Sequence, residues 1–381
     1  MKLIKNVSLI LPHKIINNGA LLFSDRIEKI YTIPPNEIED VEMIDGKNCY
    51  LSPGFIDIHI HGAGGSDIME GTRESLENIS KTIFKYGVTS FLPTTMTMAD
   101  LDIKKALDNI KKMKKEGLKG AQPLGVHLEG PFINKNYKGA QPGKNIQNPN
   151  LDLIEEYFDL IKIITLAPEI EGAQKFIKKS VQKGITIAVA HSSADYKTIK
   201  KAEVFGLDHA AHLFNAMTGL HHRKPGIVGA VLNGNMTAEL IADYVHVDPA
   251  VLELVTKIKD LDKVILVTDS MEAGGLADGE YSLGGQKVFV KDDEARLEDG
   301  TIAGSVLTLD QAVRNMLNAT KLNINEVINM ATLNPAKRIG LDHEIGQLKE
   351  GLKSDLILLS KDLEVKKVFL SGKEVRGDFY C

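Results

Sequence analysis

From residue 53 onward, short apolar runs alternate with longer helical patterns, and this alternation constrains the fold more than any other feature. It predicts eight strands, at residues 55–60, 88–93, 125–129, 161–166, 186–190, 208–213, 238–242 and 264–268. Such alternation is typical of βα units with a parallel sheet, and eight units predict an α/β fold of the (β/α)8 TIM-barrel type. A doubly wound sheet is the rival architecture, but it usually has fewer strands. A hairpin-like insertion is expected at residues 281–300.

The two ends of the chain have a different pattern, with short strand-like segments separated by turn signals. One predicted turn is at residues 17–19, and the tail at residues 346–375 contains glycine turns. Each end alone is too short to bury a core, so both together predict one small β-sandwich domain. The predicted domains are the N-terminal part of the sandwich (1–52), the barrel (53–343) and the C-terminal part of the sandwich (344–381).

Composition excludes several classes of function. The 381 residues carry a net charge of −5, which gives no electrostatic reason to expect nucleic acid or an anionic membrane as a partner. No run approaches the 18 apolar residues that suggest a membrane-spanning helix. The two cysteines, Cys49 and Cys381, are too few for a disulfide framework and fit a reducing compartment. We therefore expect a cytoplasmic protein.

Reactive side chains lie at the ends of the predicted strands. His59 and His61 end the first strand, and side chains two residues apart on a strand point to the same face. Both imidazoles could therefore bind one metal ion, although a single His-x-His pair is weak support for a metal site. Three glycines follow at residues 62, 64 and 65 and allow a tight turn there.

Two carboxylates and two further histidines occupy equivalent positions. Glu129 ends the third strand and Asp269 ends the eighth, where burial is costly unless the carboxylate is paired or bound to a cation. His191 ends the fifth strand and His212 lies near the end of the sixth. Each residue alone has a structural explanation, as an ion pair or a core histidine. All six at strand ends together predict a metal site at the carboxyl end of the barrel.

The types of ligand constrain the metal and its chemistry. Imidazole outnumbers carboxylate and no cysteine is present, which favours zinc or iron. A bound metal would acidify water and polarise a carbonyl oxygen. Asp269 is then placed to act as general base toward the water and to pass the proton to a leaving amine. His127 and His209 are expected to be core histidines or to support the ligands.

Four segments carry a resemblance to a known family. The run at residues 53–62 resembles the amidohydrolase superfamily. The segments at 125–132, 212–217 and 266–269 resemble its N-acetylglucosamine-6-phosphate deacetylase family. The strings Leu-Glu-Gly-Pro and His-Leu-Phe-Asn-Ala-Met are the specific part, and the likeness extends over essentially the whole chain.

The resemblance implies a reaction, a metal site and a catalytic residue. The expected reaction is hydrolysis of the acetamide of N-acetylglucosamine 6-phosphate, in amino-sugar catabolism and cell-wall sugar recycling. Glu129, His191 and His212 would hold the main metal ion, and His59 and His61 would hold a second, so one or two ions are expected. Asp269 would be the catalytic acid/base.

The resemblance also implies a set of substrate contacts, at Gln141, Asn215, Ala216, Arg223, His246, Ile302 and Ala303. Arg223 suits a phosphate because its guanidinium is a forked, charged donor, although it could equally be a surface charge. In the family this segment reaches the neighbouring subunit's site, which predicts a homodimer. At the position of Gln141, some members have a histidine that touches the sugar.

Two rival functions remain open on the sequence. Another amidohydrolase, such as a cyclic amidase or a deaminase, often has a metal-bridging lysine at the end of the fourth strand, whereas Lys162 lies near the start of that strand. A non-catalytic barrel that binds a sugar phosphate would be expected to have lost metal ligands, and none is missing here. Metal analysis separates that second rival from an enzyme.

Overall fold

A closed sheet of parallel strands forms the centre of the computed structural model, which describes residues 1–36 and 38–375. Residues 376–381, the end of the predicted C-terminal domain with Cys381, lie outside the described residues. The first sixteen strands are β1 (Lys2–Leu11), β2 (Lys14–Phe23), β3 (Ile27–Tyr31), β4 (Glu42–Asp45), β5 (Tyr50–Pro53), β6 (Phe55–Ile60), β7 (Gly62–Ala63), β8 (Ser66–Asp67), β9 (Val88–Pro93), β10 (Gln122–Pro123), β11 (Val126–Glu129), β12 (Ile161–Leu166), β13 (Thr186–Val189), β14 (Leu207–Ala210), β15 (Thr237–Leu240) and β16 (Val264–Leu266).

The barrel consists of β6, β9 and β11 to β16. They lie in two parallel sheets. One is β9-β6, with the two-residue strand β10 added beside β9, and the other is β11-β12-β13-β14-β15-β16. Parallel bridges from Thr94 to His127 and from Ile60 to Ser270 join the two sheets, so the strands close in chain order. The predicted (β/α)8 barrel is therefore confirmed, with each of the eight strands at or within a few residues of its predicted position.

Helices cover the outside of the barrel. In the part of the chain that the structure describes they are α1 (Arg73–Phe84), α2 (Asp100–Glu116), α3 (Ala173–Val181), α4 (Tyr196–Val204), α5 (Gly226–Leu232), α6 (Pro249–Ile258), α7 (Leu309–Ala319), α8 (Ile324–Ala331) and α9 (Leu333–Arg338). Local signals set several of their starts, such as Asp248, which caps α6 ahead of Pro249. Among the described helices, none has the length and apolar character that crossing a bilayer requires.

Six further strands complete the fold. They are β17 (Gly279–Leu283), β18 (Gln286–Lys291), β19 (Glu294–Arg296), β20 (Leu356–Leu359), β21 (Val365–Leu370) and β22 (Lys373–Glu374). Strands β17 to β19 form an antiparallel meander at the predicted hairpin-like insertion. Its apolar side chains, including Leu283 and Val288, pack with Met96, Met271 and Ala303 in a cluster of their own.

Both chain ends build one small β unit, as predicted. Its strands form a single eight-stranded mixed sheet in the order β22-β21-β20-β5-β1-β2-β3, with β4 also paired to β1. Strand β20 runs antiparallel to β5, which joins the C-terminal part to the N-terminal part. The buried rings of Phe23 and Phe369 meet edge to face at 5.5 Å in this unit's core.

The predicted turn at residues 17–19 is wrong. Strand β2 continues through these residues, and the reversal lies before Lys14, the first residue of β2. Register shifts between β1 and β2 absorb the turn-forming residues, and Asn18 has φ +50°. Asparagine tolerates the left-handed region, so the same residues that favour a turn also fit an irregularity within a strand.

We propose that the domain boundaries lie near residues 52 and 344. Two clusters of buried apolar side chains support this division. One fills and surrounds the barrel and takes in Ile10, Ile357, Leu359 and Val368 of the mixed sheet, and the other lies within the mixed sheet. Strand β5 pairs with the mixed sheet, and β6 begins the barrel two residues later.

Candidate metal and active site

All six predicted reactive residues lie at the carboxyl end of the barrel strands. His59 belongs to β6 and His61 directly follows it, while Glu129 is the last residue of β11. The other three, His191, His212 and Asp269, come two or three residues after β13, β14 and β16. Enzymes with this fold carry their chemistry at this end of the barrel.

Three of these residues have an unusual backbone conformation. His191, His212 and Asp269 have φ values of +46°, +29° and +50°. Non-glycine residues seldom adopt such angles, and each costs about 1–3 kcal/mol unless the surrounding structure imposes it. Such strain concentrates at functional sites. It gives the side chain a direction that the backbone of a regular strand end would not.

The four histidines converge on Glu129. Its Oε1 lies 3.0 Å from His212 Nε2 and 3.4 Å from the Nε2 atoms of His59 and His191. Its Oε2 lies 3.2 Å from His61 Nε2. The site is almost fully enclosed, since none of these five side chains is more than 6% exposed.

Asp269, which follows β16, faces the same centre beside β6, where the barrel closes. Its Oδ1 lies 3.3 Å from His61 Nε2 and 3.6 Å from His59 Nε2. Potential ligand atoms within 4.8 Å of one another form the triads His59–His61–Asp269, His59–Glu129–His212 and His59–His127–Glu239. His59 belongs to all three triads, and His191 reaches the centre through its contact with Glu129.

The polar atoms of His59 fit a metal ligand. Its ring is fully buried, and among the described residues its Nε2 has no hydrogen-bond partner. Leaving a buried polar group without a partner costs roughly 1–3 kcal/mol. Its Nδ1 contacts Glu239 Oε2 at 2.8 Å. A ring held through one nitrogen with the other directed at carboxylates is the arrangement of metal-binding histidines.

The electrostatic balance at this centre also favours a cation. Burial opposes ionisation of Glu129, but the charges of His59 and His191 outweigh it and hold the pKa well below its ordinary value. Burial likewise opposes ionisation of Asp269, but His59 and His61 lower its pKa to about 2. Both carboxylates therefore stay ionised in a buried site, and the arrangement of donors suits a divalent metal ion.

Sequence reasoning missed Glu239. This glutamate is fully buried in β15, where its Oε1 contacts His209 Nε2 at 3.0 Å. Burial alone would raise the pKa of Glu239, but His59 and His209 hold it well below the ordinary value. The signal was present, because Glu239 is a carboxylate in an apolar strand, as Glu129 is.

Gln141 contacts the candidate metal centre directly. Its Nε2 donates to Glu129 Oε2 at 2.6 Å, and its Oε1 accepts from the backbone N–H of Thr97 at 2.7 Å. The predicted substrate contact therefore also orients a predicted metal ligand. Gly130, the residue after Glu129, allows the chain to pack closely against Thr97. A Cβ on Gly130 would lie 2.1 Å from Thr97 Oγ1, and the φ of Gly130 is +69°.

A cavity of about 360 Å³ opens above the centre. Five of the six reactive residues line it, and so do four of the predicted substrate contacts, namely Gln141, Asn215, Ala216 and Ile302. Leu283 of the meander also lines this cavity, and so do residues 301, 302 and 304, which follow the meander. The cavity is large enough for one small polar ligand.

Three predicted substrate contacts lie outside the lining of this cavity. Arg223 is exposed, and its Nη1 lies 2.7 Å from His222 Nε2. Ala303 is fully buried in the apolar cluster under the meander. His246 is held by Asp243, whose Oδ2 lies 2.7 Å from His246 Nδ1, and its buried Nε2 has no hydrogen-bond partner among the described residues.

This combination of barrel, strand-end histidines and buried carboxylates agrees with a family match. The model of the amidohydrolase family matches residues 50–375. The chain belongs to the amidohydrolase family. The match begins at the end of the N-terminal strands of the mixed sheet and extends through the barrel into β22.

Relatives of this amidohydrolase are similar over nearly their whole length. N-acetylglucosamine-6-phosphate deacetylase of Bacillus subtilis is 37% identical over 372 residues, which cover 95% of this chain and 94% of that protein. N-acetylgalactosamine-6-phosphate deacetylase of Escherichia coli O157:H7 is 38% identical over 328 residues, with 85% and 87% covered. The amidohydrolase thus falls among the N-acetylglucosamine-6-phosphate deacetylases, which confirms the resemblance inferred from its sequence.

A solved structure agrees with this placement. A variant of N-acetyl-D-glucosamine-6-phosphate deacetylase from Mycobacterium smegmatis, in complex with N-acetyl-D-glucosamine-6-phosphate, matches with a TM-score of 0.92 and 28% identity. The match covers 99% of each chain, so both the barrel and the mixed sheet are shared.

Metal binding should depend on Glu129. We expect the Glu129→Gln variant to lose metal affinity by at least about tenfold, because even partners that only orient ligands contribute 10- to 100-fold. Asn334→Ala is the control, since the side chain of this buried residue bonds Leu261 O and Val264 O at the end of β16 away from the centre. Metal content by elemental analysis measures the difference, and equal content in wild type and Glu129→Gln would contradict the ligand role.

Proposed function

We propose that this amidohydrolase hydrolyses the acetamide of N-acetylglucosamine 6-phosphate, giving acetate and glucosamine 6-phosphate. The observation that carries the proposal is the convergence of four imidazoles and two carboxylates at the base of a small polar cavity. The full-length relatives supply the substrate class. The proposed cellular role is cytoplasmic, in amino-sugar catabolism and cell-wall sugar recycling.

The proposed metal ligands are those expected from the sequence. Glu129, His191 and His212 would hold the main ion, and His59 with His61 would hold a second, with zinc or iron as the metal. When bound there, a divalent ion acidifies a water molecule and polarises the amide carbonyl. His59 forms one triad with His61 and Asp269 and another with Glu129 and His212, which supports a centre that can hold one or two ions.

Asp269 is the proposed acid/base. Its low pKa keeps it ionised at neutral pH, so it is ready to accept a proton from the attacking water. Its Oδ1 faces His59 and His61, beside the site proposed for the second ion. After attack, the same carboxylic acid would donate this proton to the departing amine, which releases glucosamine 6-phosphate.

The proposed substrate contacts divide into two groups. Gln141, Asn215, Ala216 and Ile302 line the cavity and would bind the sugar phosphate within one subunit. Arg223, His246 and Ala303 lie outside that lining. The exposed position of Arg223 supports a contact made to the site of a second subunit, which makes a homodimer part of this proposal.

One alternative substrate has a specific observation in its favour. The relative from Escherichia coli O157:H7 is an N-acetylgalactosamine-6-phosphate deacetylase, and its 38% identity to this chain is close to the 37% of the relative from Bacillus subtilis, although it covers less of the chain. The two sugars differ in the orientation of one hydroxyl group.

Acetate release from three compounds tests the proposal. We expect the highest kcat/KM with N-acetylglucosamine 6-phosphate, a lower value with its galactose epimer, and the lowest with unphosphorylated N-acetylglucosamine. The reason is that the phosphate contributes binding energy to the transition state. A higher kcat/KM with the epimer would transfer the assignment to that substrate, and no acetate from any of the three would contradict deacetylation.

The role of Asp269 can be tested separately from metal binding. Asp269→Asn should lower kcat by roughly 10²- to 10⁴-fold, the usual contribution of a general acid–base, while metal content is retained. Asp195→Asn is the control, because Asp195 is an exposed cap of α4 at the same end of the barrel. Loss of metal in parallel with activity in Asp269→Asn would instead make Asp269 chiefly a ligand.

A further inference from the structure

Glu239 occupies the centre of a buried hydrogen-bond network under the candidate metal site. Its Oε2 lies 2.8 Å from His59 Nδ1 and accepts the backbone N–H of His212 at 3.1 Å. Its Oε1 lies 3.0 Å from His209 Nε2. One carboxylate therefore contacts a side chain and a main chain that both belong to proposed ligands.

These contacts determine the tautomer of His59. A carboxylate can only accept hydrogen bonds, so His59 Nδ1 must carry the proton that it donates to Glu239. A histidine binds a metal ion as the neutral ring, and in that state the lone pair is on Nε2, the buried atom without a hydrogen-bond partner among the described residues. The lone pair points toward Glu129 and Asp269, at 3.4 and 3.6 Å.

The network continues away from the site and holds Glu239 in place. His209 Nδ1 lies 2.7 Å from Thr237 Oγ1, which also accepts from Arg338 Nη1 at 3.3 Å. Arg338 ends α9, and its Nη2 donates to Asp208 Oδ2 at 2.8 Å. The carboxylate is therefore fixed from the opposite end of the barrel, which limits its movement when a ligand binds.

We propose that Glu239 is a positioning residue that fixes the tautomer and ring plane of His59 and anchors the backbone of His212 for metal binding. This inference rests on the proposed function, because it assumes that these histidines bind the metal. Glu239 need not touch the substrate. It acts through its neighbours, in the way that carboxylates behind metal-binding histidines orient the ring and raise its basicity.

The test compares metal affinities of metal-free protein reloaded with Zn²⁺ in competition with a chromophoric chelator. Glu239→Gln should bind Zn²⁺ about 10- to 100-fold more weakly, the range measured for partners behind metal ligands. The two carboxylate oxygens of Glu239 accept hydrogen bonds from His59 and His209, whereas the amide has one acceptor oxygen and cannot accept from both. His209→Gln removes only the far contact and should lose less affinity.

Asn334→Ala is the control for general loosening of the core. Asn334 is buried in α9, and its Nδ2 donates to Leu261 O at 2.8 Å and to Val264 O at 2.7 Å, at the end of β16 away from the candidate metal site. Its Zn²⁺ affinity should stay near that of wild type. The melting temperature of each metal-free variant shows separately whether the fold is retained.

Two results would overturn the proposal. One is unchanged Zn²⁺ affinity in a folded Glu239→Gln protein, and the other is an equal loss of affinity in Asn334→Ala. If Glu239→Gln does not fold, an unchanged Zn²⁺ affinity in His209→Gln would contradict the proposal. Zn²⁺ binding is measured without acetate release, so the two proposals can fail separately. If the wild type released no acetate but Glu239→Gln still lost Zn²⁺ affinity, only the deacetylase function would be contradicted.

Discussion

The burial of Glu129 and Asp269 among histidines is the constraint on which the rest of the site depends. Two ionised carboxylates at the end of an apolar barrel are costly unless positive charge compensates them. The structure places four imidazoles within 3.0 to 3.6 Å of their oxygens. In an amidohydrolase, this concentration of donors has a chemical use, because the same atoms can bind a divalent ion that activates water.

The surrounding structure keeps this arrangement in place. The strained backbone at Asp269 is held where the barrel closes, because Asp269 N–H donates to His59 O at 2.9 Å. Gln141 fixes Glu129 from the cavity side, and Glu239 fixes His59 from below. The meander packs through its own apolar cluster and restricts access from solvent. A site held on several sides needs little reorganisation during the reaction.

Much of this could be predicted from the sequence, because the signals were local. The eight apolar runs predicted the barrel, and carboxylates or histidines at their ends predicted the centre. Non-local features could not be predicted in this way. The left-handed backbone at His191 and His212 is imposed by tertiary contacts, and the bond between Gln141 and Glu129 joins different segments. Strand β4 was missed because it is short and pairs with the distant β1.

Glu239 was missed for a different reason. Its local pattern is the one that singled out Glu129, but the sequence gives no sign that two histidines face it. The exposed position of Arg223 also follows from tertiary structure, and its proposed role depends on a second subunit.

Anomalous diffraction from crystals of the metal-loaded enzyme would show directly whether Glu129 binds a metal ion. We expect at least one ion about 2.0–2.2 Å from a carboxylate oxygen of Glu129 and from histidine Nε2 atoms, the distances typical of zinc. Glu239 should remain hydrogen-bonded to His59 in that crystal. Crystals without a metal ion at Glu129, grown from protein that still releases acetate, would rule out Glu129 as a ligand of the catalytic metal.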